Sequence, residues 1–376
     1  MPTQRIKELA QREAEHLFTL QPIKRPWHLI VTAAMTIAST IFIGAIFDQL
    51  PLGIMASLGA MIILNQPSTG NLYQRQGLLF VLGLLMVGSF SMGLVAHNLP
   101  MVRTPIFVVI TFVIVLLSRY LRLTPPSGMF ILMAAVIALF MPVSWAQMPF
   151  HIGIVSLGAI FAWGSSLVYN LIMVRPDPMP APKRRKYEQG LITESVVVTT
   201  FVVLALEVAL WLDMPYPYWV PVSSYIIMLG THLRTMWIKQ LHRIIGTAIG
   251  IVVAWFLLAL PLSNMGVVLA ILLMFLWIEG IIARHYALAV IMITPLTIFI
   301  AEYGGGQSDI AGLGPMAYRG IIEARFLDTV LGCLIALLGG VVMHSTWLRQ
   351  PLMSFEAKLF GNRLNKDALN KDSQSN

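Results

Sequence analysis

The sequence predicts an all-α integral membrane protein of about twelve transmembrane helices, arranged as two parallel six-helix repeats. Three observations predict it. Apolar residues make up 57% of the chain and charged residues only 11%, against roughly 25% charged in a soluble domain, and mean hydropathy is +0.78. The apolar residues gather into twelve stretches, many near the ~20 residues that cross about 30 Å of hydrocarbon. The last six stretches echo the first six.

In chain order, residues 1–26 form a cytoplasmic segment with an amphipathic helix, because Ile6, Ala10, Ala14 and Leu17 share one face at helical spacing. The first repeat covers 27–174, with spans at Trp27–Phe47, Leu52–Leu64, Gly77–Ala96, Pro105–Leu117, Gly128–Met141 and Ile152–Val174. A Pro-rich, basic cytoplasmic linker at 175–190 cannot continue a helix. The second repeat covers 191–347, with spans at Ser195–Leu212, Tyr218–Gly230, Ile244–Leu260, Gly266–Ile282, Tyr286–Ala301 and Leu327–Met343. Residues 348–376 form a polar cytoplasmic tail that frays beyond about Arg363. No cleavable signal is expected, because the first 25 residues are polar and the apolar stretch after them is too long.

Charge sets the orientation. With both termini cytoplasmic, all but Arg103, Arg319 and Arg325 of the 25 basic residues lie on that side, a strong positive-inside bias. This placement accounts for the net charge of +8 without nucleic acid. The run Lys183-Arg184-Arg185-Lys186 is expected against anionic headgroups of the lipid bilayer. A single Cys excludes a disulfide framework and a thiolate metal site, and Cys333 reads as packing. No His-Glu-x-x-His, phosphate-cradling loop or Asp-rich cluster is present. The expectation is therefore no enzyme, no metal and no cofactor. Active transport would need an ion gradient or a partner ATPase.

The repeat is clearest in the sixth and twelfth spans. Leu157-Gly158, Ala162 and Ser166 correspond to Leu331-Gly332, Ala336 and Gly340, small-residue stripes that let membrane helices approach closely. Asp48 before Pro51 corresponds to Asp213 before Pro215. Leu52–Leu64 and Tyr218–Gly230 are only about 20 Å long as helices, and the fifth span of each half is also short, the later one carrying Pro295. Short or Pro-broken segments at matching positions point to a binding site; shielding by neighbours with local bilayer thinning is the other reading. The short helices also suggest a homo-oligomer or a snug pseudo-dimer.

Three motifs then stand in the second half: Tyr218-Trp219-Val-Pro221-Val-Ser223-Ser224, Arg243-Ile-Ile-Gly246-Thr247-Ala-Ile-Gly250, and Arg325-Phe-Leu-Asp328-Thr329-Val-Leu-Gly332. Together they resemble the fusaric acid resistance protein-like family, which includes bacterial aromatic acid exporters. The resemblance is clearest over 190–345. The first half has weaker motifs, with Arg75-Gln-Gly77 in place of the fuller signature. The resemblance implies the bacterial inner membrane, efflux of aromatic carboxylates or amphipathic drugs, and a periplasmic adaptor protein as partner. Larger members carry a sizeable cytoplasmic domain that this short linker does not hold. A related architecture in plant malate channels keeps a passive organic-anion channel as the alternative. A non-transporting scaffold for an envelope complex is a second alternative.

Individual residues carry two readings each. Glu207 lies mid-span, where a carboxylate is expensive and by default functional; it either carries a proton or makes a structural hydrogen bond. Arg325 and Asp328 share a helix face; either they pair, or Asp328 exchanges protons and Arg325 receives an anion. Glu279 is expected to pair at the interface near Arg284, and Glu194 is similarly interfacial. Arg243 either captures substrate or anchors its helix, and for Arg234 anchoring is favoured. Tyr218, Trp219 and Pro221 begin a helix whose N-terminal amides could hold a carboxylate while the rings stack on an aromatic ligand; the other reading is the interfacial aromatic belt. The functional set is thus Glu207 and Asp328 for proton coupling, with Arg325, Tyr218, Trp219, Pro221 and Arg243 for substrate.

Overall fold

Backbone hydrogen bonding carries most helices past their apolar stretches. The computed structural model describes residues 25–123, 126–173, 190–230, 232–304 and 317–345, with single positions at 351, 354, 356 and 358. The N-terminal amphipathic helix, the basic linker and most of the tail lie outside the described residues. Among the described residues every regular element is helical. The first six α-helices are α1 (Trp27–Ile46), α2 (Leu50–Ala60), α3 (Leu72–Asn98), α4 (Arg103–Tyr120), α5 (Met129–Phe140) and α6 (Met148–Met173). The next six are α7 (Leu191–Trp211), α8 (Trp219–Met228), α9 (Leu233–Leu258), α10 (Asn264–Ile281), α11 (Tyr286–Gly304) and α12 (Ala317–His344). Short 3-10 turns at Met61–Asn65 and Pro100–Val102 extend α2 and lead into α4.

Among the described residues eight helices are long and apolar enough to cross a membrane: α1, α3, α4, α6, α7, α9, α10 and α12. The other four are α2, α5, α8 and α11. Mid-helix Leu84, Leu157, Leu273 and Leu338 are exposed, as suits a surface solvated by lipid tails.

Several boundaries differ from the hydropathy reading. The third, ninth and twelfth helices begin at Leu72, Leu233 and Ala317, not at Gly77, Ile244 and Leu327. Hydropathy marks the apolar portion, whereas a helix continues until something caps it. At α3 that cap is Asn71, whose side chain accepts from the Gln74 amide at 2.9 Å while Gln74 accepts from the Asn71 amide at 3.3 Å. The helix α11 runs 19 residues, through Pro295, longer than the short span expected of it.

The first helix of each half ends alike. Asp48 and Asp213 take left-handed φ of 53° and 49°. The amides that follow, of Gln49 and Met214, bond back to Gly44 and Ala209, a Schellman-type stop. Asp tolerates this conformation better than most side chains.

Small residues then set the packing. α2 packs on α1 and α6, and α8 packs on α7 and α12. A methyl at Gly158 would collide with the Ala56 carbonyl, and one at Gly332 would lie 2.5 Å from the Val220 carbonyl. α3 packs on α5 and α6, and α9 on α11 and α12. Gly93 meets the Ala135 carbonyl in the first case, and Gly250 meets Ile291 in the second. The halves meet chiefly along two seams, α1 against α10 and α4 against α7, with lesser contacts of α2 on α11 and α5 on α8. Each seam is pinned at both ends. Arg25 pairs with Glu279 at 2.5 Å and Asn264 donates to Asp48 at 3.3 Å. Arg119 pairs with Glu194, and Thr104 donates to Glu207 at 2.7 Å.

Candidate functional site

The site forms around α8. All ten of its residues are buried, so protein rather than lipid surrounds this short helix. Pro221 sits in its first turn, where a helix has no need of that amide proton. The aromatic residues leading into it cluster: Tyr218 lies 5.1 Å from Trp219, 6.0 Å from Tyr216 and 6.1 Å from Phe140 of α5, between ring centroids.

Against this cluster α12 brings Arg325, and the guanidinium lies 3.9 Å from the Trp219 ring centroid, a cation–π contact. Asp328 follows one turn later and is fully buried. Neither of its oxygens has a hydrogen-bond partner, and the Arg325 Nε and Nη1 have none. The Arg325–Asp328 pair expected as one of the two readings is therefore not formed, since helix spacing puts the residues on one face but leaves their tips apart. Arg243 comes from α9 and is also buried. Its Nη1 donates to the Tyr286 hydroxyl and its Nη2 to the Ser223 hydroxyl, both at 3.1 Å, and its Nε has no partner. Arg243, Asp328, Tyr218 and Tyr286 all bear electrostatically on Arg325. Two buried arginines thus share one space with one carboxylate.

This geometry corrects several readings of the sequence. Arg243 is 2% exposed inside the bundle and not on the protein's surface, because α9 begins ten residues before it. Trp219 is not part of an interfacial belt; it is 4% exposed beneath Arg325. Glu279 pairs with Arg25 and not with Arg284, because α10 ends beside the start of α1. Glu194 pairs with Arg119. Glu207 is half-buried at the α4–α7 seam, bonded to Thr104. Its described contacts include none with Arg243, Arg325 or Asp328. Ser223 and Tyr286 join the site without having been singled out. Ser223 stood inside a quoted motif, while nothing in sequence marked Tyr286, which follows a loop across which α11 turns back on α9.

The first half holds a different polar core. Arg75 donates from Nε to the Gly70 carbonyl at 2.7 Å, from Nη2 to the Ser68 carbonyl at 3.0 Å and from Nη1 to Asn170 at 3.4 Å. Gln66 donates to Asn170 at 3.0 Å, Ser166 to Gln66 at 2.6 Å and Gln76 to Ser166 at 3.0 Å.

Residues 204–339 match the fusaric acid resistance protein-like family. That stretch contains Tyr218, Trp219, Pro221, Arg243, Arg325 and Asp328, so the resemblance drawn from the motifs is borne out over the second half. The chain is also 31% identical, over 128 residues, to the uncharacterized membrane protein YvaC of Bacillus subtilis (strain 168). That match covers 34% of this chain and 19% of the relative. No solved structure matches the chain. The chain is a multi-pass integral membrane protein.

Proposed function

We propose that the chain moves an amphipathic, typically aromatic, carboxylate or drug outward across a bacterial inner membrane, with the group around α8 as the anion site. One observation carries this: Arg243 and Arg325 are both buried with open N–H donors, against the single carboxylate of Asp328. A buried charge without a partner costs several kcal/mol, so an excess cation at this depth favours an incoming anion. Arg325 would receive the carboxylate, Arg243 would support it through Ser223, and the Tyr218–Trp219 lead-in would stack on the ring. Asp328 competes with the substrate for the same two cations. Anion affinity therefore rises when Asp328 takes up a proton and falls when it releases it, which links transport to protons. An inside-negative potential drives the anion out with about 2.3 kcal/mol per 100 mV, roughly a 50-fold gradient. Glu207, tied to Thr104, is assigned instead to holding the halves together.

The same proposal takes the architecture as two parallel six-helix repeats with cytoplasmic termini. The paired α2–α6 and α8–α12 contacts, the matching Schellman stops and the two seams support it. A periplasmic adaptor is proposed as a partner on the resemblance alone, and a homo-oligomer on the short helices.

The test is flux of labelled 2-naphthoate in proteoliposomes, with membrane potential and pH imposed separately. Potential-driven accumulation that strengthens at low pH, and loses its pH dependence in Asp328→Asn, is expected. Wild-type flux with unchanged pH dependence in both Asp328→Asn and Arg325→Gln would sink the assignment. Flux that only equilibrates the anion would make the protein a channel.

A further inference from the structure

We propose that a second, outer anion site lies at Arg103, joined to the arginine group by a ladder of aromatic rings. The site deepens the transport reading, on which its role as an exit step rests. The Arg325 guanidinium lies 3.9 Å from the Trp219 ring centroid. From Trp219 the centroids step 5.1 Å to Tyr218 and then 6.1 Å to Phe140, within the range at which aromatic rings attract one another. The last step runs 5.9 Å from the Phe140 centroid to the Arg103 guanidinium, a second cation–π contact. Two cations thus close the two ends of one row of rings.

Burial changes along that row. Arg325 is 3% and Trp219 4% exposed, whereas Tyr218, Phe140 and Arg103 are half-buried. Arg103 opens α4, Phe140 closes α5 and Tyr218 precedes α8. Arg119, near the far end of α4, marks the opposite end of the bundle. The row therefore leads from the buried arginines toward one end of the bundle, the outer end in the proposed orientation. It crosses between the halves where α5 meets α8.

Arg103 has charge to offer. Among the described residues no carboxylate forms an ion pair with it, and its buried Nε has no hydrogen-bond partner. Glu207 bonds the adjacent Thr104 instead. The fourth helix of the second half differs: α10 begins with Asn264, whose amide is taken up by Asp48. A closed contact stands there, where the first half keeps a cation with a donor to spare. An aromatic carboxylate fits both features, its ring stacking on Phe140 and Tyr218 while its head meets Arg103. A single deep site would retain such an anion, because release leaves two buried arginines facing one carboxylate. A neighbouring, less buried site gives the anion a place to step to, as successive sites do in pores.

Equilibrium binding of tritiated 2-naphthoate to the full chain in phosphatidylcholine nanodiscs tests this, with melting curves to confirm folding. Wild type should saturate at two anions per chain and Arg103→Gln at one, with Arg103→Lys restored to two. Arg325→Gln should lose the tighter site and keep the weaker. Phe140→Leu should weaken the outer site about fivefold for 2-naphthoate and leave it unchanged for octanoate, which has no ring. Saturation at one anion in wild type overturns the outer site, as does saturation at two in Arg103→Gln. Equal weakening for both anions in Phe140→Leu overturns the ladder. In proteoliposomes Arg103→Gln should slow 2-naphthoate flux about tenfold. Two-site binding with the expected losses but no wild-type flux would count against the transport reading alone. Wild-type flux that Arg103→Gln leaves unchanged, with one anion bound, would overturn the outer site and spare that reading.

Discussion

The polar core of the first half and the charged group of the second behave oppositely, the one gathered on Ser166 and Asn170 after Gly158 and the other on Arg325 and Asp328 before Gly332. Around Arg75 each guanidinium nitrogen has an acceptor, and the unpartnered side-chain atoms nearby, on Asn65 and Gln76, are neutral. Around Arg325 the unpartnered atoms include those of charged groups, Arg243, Arg325 and Asp328. Spacing makes the contrast sharper. Arg325 and Asp328 stand seven and four residues before Gly332; at the same distances before Gly158 stand His151 and Ile154. The two glycines play the same role, closing α12 on α8 and α6 on α2. The close glycine contact therefore recurs and the charge does not. A closed network holds a structure together, while open buried charges are kept at a cost and point to a ligand.

The sharpest way to break this comparison is by transport. Arg325→Gln should lower flux ~100-fold, about 2.7 kcal/mol of lost stabilisation, while Asp328→Asn should keep flux and lose its pH dependence, both with the melting temperature held or raised. Proteoliposome flux alongside a thermal melt reads both. Arg75→Ala should do the reverse. Stripping acceptors of a charged donor should cost ~3 kcal/mol of stability, and flux per folded molecule should stay near wild type. If Arg75→Ala abolished flux in well-folded protein, the division between a structural and a functional half would fail.

The seams give an intermediate effect. Glu279 is 3% exposed and Glu194 is 28% exposed. Glu279→Gln should therefore cost ~3 kcal/mol by leaving Arg25 uncompensated. Glu194→Gln should cost less, ~1 kcal/mol, as expected for a pair that stays partly exposed. Denaturant titration in nanodiscs would compare them, and equal losses would contradict the difference in burial. Between these lie the glycines. Gly158→Ala and Gly332→Ala should each cost ~2 kcal/mol through overpacking against backbone. Similar losses from the two would sharpen the repeat, and a large disparity would weaken it.

Much of the fold was legible because its signals are local. Asp48 and Asp213, the Gly158 and Gly332 stripes and the short eighth helix could all be read along the chain. Of the site, the types and spacing at Tyr218, Trp219, Pro221, Arg243, Arg325 and Asp328 were legible. Their relations were not. Hydropathy placed Arg243 at the membrane surface because it cannot see a helix continuing past its apolar stretch. It offered Arg325 and Asp328 as a pair because a helix face says which residues are neighbours, not whether their tips meet. Tyr286 carried no signal at all.

The sequence by itself determined that this chain lives in a membrane as a helical bundle, and that its second half resembles one transporter-related family. The reason is that lipid allows a chain to satisfy its backbone only as helices or closed barrels, and apolar length declares which. Tertiary structure alone decided which charges are closed by partners and which are left open. Partnering depends on atoms brought together from four helices, across more than a hundred residues of chain, and no linear pattern records that distance.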